Sequence, residues 1–71
     1  MSLTIITKHI KEMKKIGSVD GVDIHLLITF GGLNILTKME KGEPEILSMG
    51  SHLLVVKDLA EKKFKRIQWN D

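Results

Sequence analysis

The pair Gly31-Gly32 lies between two runs built for β-structure, and no other feature of the chain constrains the fold as tightly. Val22-Asp23-Ile24-His25-Leu26-Leu27-Ile28-Thr29-Phe30 leads into it, and Leu33-Asn34-Ile35-Leu36-Thr37-Lys38-Met39 leads out. Glycine reaches positive φ without a Cβ clash, so a Gly-Gly between aliphatic and β-branched runs signals a hairpin. A two-residue loop would pair Phe30 with Leu33, Ile28 with Ile35, Leu26 with Thr37 and Ile24 with Met39 on one face. Seven of those eight residues are apolar. The other face would pair Thr29 with Asn34, Leu27 with Leu36, His25 with Lys38 and Asp23 with Glu40.

Beyond the hairpin, Lys41-Gly42-Glu43-Pro44 reads as a turn and Glu45–Met49 as a third strand, with Ile46 opposite Met39 and Met49 opposite Leu36. Leu27, Leu36, Leu47 and Met49 then form a second apolar cluster on the opposite face, and a small protein does not leave such a patch wet. Upstream, Leu3, Ile6, Ile10 and Met13 recur at steps of three and four, which predicts a helix over residues 3–16, capped by Ser2 or Thr4 and ended at Gly17. Asp20-Gly21 is a hairpin dipeptide, so Ile16–Val19 could add a short strand that folds back on Val22–Phe30.

Residues 50–71 admit two readings. As a hairpin, Leu53–Lys57 and Phe64–Trp69 are strands joined through Asp58–Lys62. As a helix, Ser51 caps a segment that buries Leu53, Val56, Ala60, Phe64 and Ile67. The β-rich run Leu53-Leu54-Val55-Val56 favours the hairpin, while Ala60-Glu61-Lys62-Lys63 is strong helix material. The expected fold class is therefore α+β, with an N-terminal helix packed on an antiparallel β-meander of three to five strands. The alternative is α-β-β-β-α with a C-terminal helix at about 52–67. Residues 1–71 make one small domain.

Composition narrows the chemistry. There is no cysteine, which removes disulfides, thiolate metal sites and a cysteine nucleophile and suits a reducing compartment such as the cytoplasm. No apolar run approaches the roughly 20 residues of a membrane span, and the opening residues lack the pattern of a signal peptide. The net charge of +2 is unevenly spread: residues 1–16 and 52–71 are basic, and residues 17–51 are acidic. Basic ends around an acidic middle suit self-association.

Candidate sites are few. His9, His25 and His52 fall on three separate segments with no ligand spacing, so no metal or other cofactor is expected. Gly31-Gly32 fits neither phosphate-loop pattern and leads into a strand, so it reads as a turn. Ser18, Ser48 and Ser51 lack a nucleophile context, and no carboxylate pair is placed for acid–base work, so no catalytic residue and no enzyme is expected. The 57–69 segment interleaves Lys62, Lys63, Lys65 and Arg66 with Phe64 and Trp69, the composition of a nucleic-acid-binding surface. Asp58, Glu61 and Asp71 dilute it, and a strand would divide its aromatics between two faces. The expectation is a small non-enzymatic interaction module that self-associates through a sheet face or edge, with Leu27, Leu36, Leu47 and Met49 at the interface. Weakly basic nucleic-acid binding through Lys62, Lys63, Lys65, Arg66 and Trp69 is the alternative, and no membrane partner is expected.

Overall fold

In a computed structural model of the protein, residues 9–40, 43–64 and 66–70 are described. The chain runs through β1 (Ile10–Val19), β2 (Val22–Thr29), β3 (Asn34–Glu40), β4 (Glu43–Gly50), α1 (Leu53–Lys63) and β5 (Ile67–Trp69). The strands form one five-stranded antiparallel sheet in the order β4-β3-β2-β1-β5. Helix α1 packs on one face, against β4 and β3. The class is α+β with a hairpin-built antiparallel sheet, as expected, but its helix is C-terminal.

The helix expected over residues 3–16 is thus corrected: Ile10–Ile16 belong to β1, and residues 1–8, with the expected caps and the first half of that stripe, lie outside the described residues. Two irregularities in the β1–β2 ladder explain the misleading period. The register shifts between Ile10 and Glu12 and again between Lys15 and Gly17, so Lys11 and Ile16 are extra residues. A bulge adds one residue to one strand. It therefore places Ile10 and Met13, three apart, on the same sheet face, a spacing that in sequence imitates a helix. The β1–β2 hairpin closes at Asp20-Gly21, with φ of 50° and 80°, the positive angles that a two-residue hairpin turn requires.

The β2–β3 hairpin forms where Gly31-Gly32 predicts it, but with a longer loop. Gly32 N–H donates to Thr29 O at 3.0 Å, and Thr29 N–H donates to Leu33 O at 2.9 Å. Phe30, Gly31 and Gly32 are therefore the loop, a turn followed by a left-handed residue, Gly32 at φ 87°. The Thr29 hydroxyl also accepts from Leu33 N–H at 3.0 Å. One added loop residue moves β3 by one position against β2. Leu26 now faces Leu36, Leu27 faces Ile35 and His25 faces Thr37. Each such step exchanges a strand's two faces. Phe30, expected on the apolar face of the hairpin, is 73% exposed in the loop.

The core lies between the sheet and α1. Val19, Ile24, Leu26, Leu36, Leu47, Val56 and Ala60 form it, with Ile16, Ile28, Leu53, Phe64, Ile67 and Trp69 packed at its margin. Leu27, Ile35 and Thr37 are also buried but face away from the helix. Pro44 sits inside β4 opposite Met39, where the turn reading had it barring a ladder. An edge strand tolerates it because one side of the strand has no ladder to lose. Lys41 and Gly42 of that turn lie outside the described residues.

The C-terminal hairpin is corrected as well, since Leu53–Lys57 lie in α1. The buried stripe of the helix reading appears in part, with Val56 and Ala60 fully buried and Leu53 beside them, but the helix ends at Lys63 rather than about 67: Phe64 is its extended C-cap and Ile67 lies in β5. Its cap does not: the N-cap is His52 rather than Ser51, without a side-chain cap bond. Ser48 Oγ donates to Val56 O at 2.7 Å and ties the helix to β4. Burial against a sheet outweighs the modest strand preference of Val and Leu.

Candidate functional site

The four residues expected to make an interface do not share a face. Leu36 and Leu47 lie in the core beneath α1. Leu27 is buried on the opposite face, and Met49, 47% exposed, stands opposite Ile35 on that same side. The cause is the shifted hairpin register together with a bulge in β4, where the pairing slips between Leu36 and Thr37. That slip turns Leu47 toward the helix, where Leu27 and Met49 cannot follow.

The basic segment is dispersed differently. Lys62 and Lys63 are exposed in the last turn of α1, Arg66 is exposed in the turn before β5, and Lys65 lies outside the described residues. Trp69 is already engaged. Its indole N–H donates to Glu61 Oε1 at 2.7 Å, and Lys57 Nζ stands 5.0 Å from its ring centre. A tryptophan held by a carboxylate and a lysine is poorly placed to stack on a base.

Two shallow depressions adjoin this region. One of about 340 Å³ is lined by Val19, Asp20, Lys63, Phe64 and Arg66, and one of about 250 Å³ by Ser18, Asp20, Gly21, Arg66 and Gln68. They share Asp20 and Arg66, so their charges largely oppose one another. Ser18 and Asp20 both line the second, but among the described residues no hydrogen bond joins the Ser18 hydroxyl to a base. His9 and His52 are exposed at separate places, and His25 Nδ1 is buried without a hydrogen-bond partner among the described residues. Among the described residues no group of three or more His, Asp or Glu is placed to hold a metal ion, and no helix is long and apolar enough to cross a membrane.

A more coherent surface lies at the other end of the sheet. β4 is the last strand on that side and runs for eight residues; at the far side β5 has three and covers only Gly17–Val19 of β1. The stretch Ile10–Ile16, uncovered among the described strands, is blunted by Lys11, Lys14 and Lys15 and by two bulges. Above β4 lies α1, which is apolar on more than its buried face: Leu54 is 81%, Val55 55% and Leu59 42% exposed. Helical geometry places these residues. Lys57 and Glu61, one turn apart, both reach Trp69 on β5, so their flank of α1 looks across the sheet toward β5. At 3.6 residues per turn, Val55 and Leu59 point roughly 160° away from that flank. They therefore overhang the outer side of β4. Sequence reading missed this pair because it took Val55 as strand. The i, i+4 spacing of Val55 and Leu59 was a usable signal once the segment was helical, but only the Trp69 contacts reveal which edge they overlook.

No known protein family, curated protein or solved structure matches the chain. The geometry of the molecule alone carries its functional reading.

Proposed function

We propose that this chain is a small non-catalytic interaction module that self-associates through the open edge of its sheet. The observation that carries this reading is β4, an eight-residue edge strand that among the described residues pairs on one side only. A row of unpaired backbone donors and acceptors templates another strand, and proteins that keep such an edge either blunt it or use it. Pro44 blunts the turn-proximal end of β4 and the bulge at Leu47 interrupts the row, which leaves Glu45-Ile46 and Ser48-Met49 as the regular stretches on either side of it. The absence of cysteine suits a reducing compartment such as the cytoplasm.

Light scattering coupled to size exclusion at micromolar concentration tests the reading. The expected result is at least a dimer. A well-folded monomer that persists at high protein concentration overturns it.

A further inference from the structure

We infer that the partner at this edge is a second copy of the same chain, set by a two-fold axis perpendicular to the sheet, with Val55 and Leu59 of the two helices packed on each other above the β4–β4 junction. The inference rests on the self-association reading and adds the surface, the partner and their geometry.

Three observations lead to it. First, β4 has one neighbour among the described strands, and an antiparallel pair of identical edge strands satisfies a two-fold axis, the commonest symmetry of small oligomers. The two five-stranded sheets then join as one continuous antiparallel sheet. A two-fold axis normal to the sheet keeps both helices on the same face.

Second, the spacing fits. α1 packs against β4 and β3, so its axis lies inward of β4 by about half the roughly 4.8 Å between strands. Across a β4–β4 junction the two helix axes stand about 10 Å apart, within the separation of packed helices. Two copies of the fold joined in this way need no rearrangement to bring their helices into contact.

Third, the flank that enters this contact is apolar over its first two turns. Val55 and Leu59 face outward over β4, with exposed Lys62 ending the same stripe in the last turn, while Lys57 and Glu61 face the other way. The axis sets the two helices antiparallel, so the positive end of each dipole lies beside the negative end of its partner. An unrelated extended peptide added to β4 would satisfy the strand edge but leave Val55 and Leu59 in water. A partner carrying its own helix at this position covers both.

Disulfide trapping tests the geometry, and the cysteine-free chain makes it clean. With axes about 10 Å apart and Cα atoms about 2.3 Å from each axis, facing flank residues have Cα atoms about 5 Å apart. That is within the range a disulfide spans. Val55→Cys and Leu59→Cys are made singly and together, because an axis midway between them sets Val55 of one copy opposite Leu59 of the other, with Met13→Cys, exposed on a different strand, as the comparison. All three positions are solvent-exposed, and circular dichroism verifies folding. The expected result is covalent dimer in at least one single variant or in the double variant but not in Met13→Cys, together with at least a tenfold weaker association in Leu59→Glu. A dimer by light scattering that cross-links through Met13→Cys, or through none of the helix variants, overturns this interface and leaves self-association standing. A monomer in every measurement overturns both.

Discussion

Gly31 and Gly32 are neighbours in one loop under different constraints. Gly32 sits at φ 87°, a conformation that costs other residues about 1–2 kcal/mol. Gly31 has no positive φ, and an added Cβ would meet only Thr29 Oγ1, at 3.9 Å. Gly32→Ala should therefore lower unfolding stability by about 1–2 kcal/mol, and Gly31→Ala should stay near wild type, in urea melts followed by circular dichroism. Equal effects would mean that the loop is not the three-residue turn that sets the β2–β3 register. The Thr29 hydroxyl, which accepts from Leu33 N–H, supports the same turn.

Helix α1 is held through Val56 and Ala60 against the sheet and through Ser48 Oγ on the Val56 carbonyl. Val56→Ala deletes two buried methyl groups and should cost about 2 kcal/mol. Trp69 is the only tryptophan and is bonded to the helix by Glu61, so its fluorescence reports whether α1 and β5 stay docked as the variant is melted. Strand and turn positions were legible at this scale because Asp20-Gly21, Gly31-Gly32 and the flanking β-branched runs carry local chemistry. The register was not, since Gly-Gly serves a two-residue and a three-residue loop alike. Nor was β1, whose extra residues Lys11 and Ile16 turn an alternating pattern into a three-step one. Leu53–Val56 prefer strand locally and become helix only because Val56 and Ala60 find a sheet to cover. The candidate interface depends on which way that helix is turned, information that resides in the contacts of Lys57 and Glu61 with a residue on another element.

For the whole molecule, self-association and stability should be linked. A chain of this size buries a modest share of its surface on folding, and a partner that binds only the folded form adds stability that grows with concentration. The thermal midpoint should rise as protein concentration is increased through the micromolar range, by about 4–8 °C for each kcal/mol gained. In Leu59→Glu the same rise should begin only at about tenfold or more higher concentration. Differential scanning fluorimetry across a dilution series checks both.

The pairing of β5 with β1 joins Val19 to Ile67 and Gly17 to Trp69. Among the described strands β1 is made first and β5, which pairs with its Gly17–Val19 end, is made last. At about 5–20 residues per second, the stretch from Val19 to Ile67 takes roughly 2–10 s to assemble. During that interval β1 can be paired on one side by β2 while Gly17–Val19 on its other side wait, so the pairing of Trp69 with Gly17 is among the last contacts of the sheet to become possible.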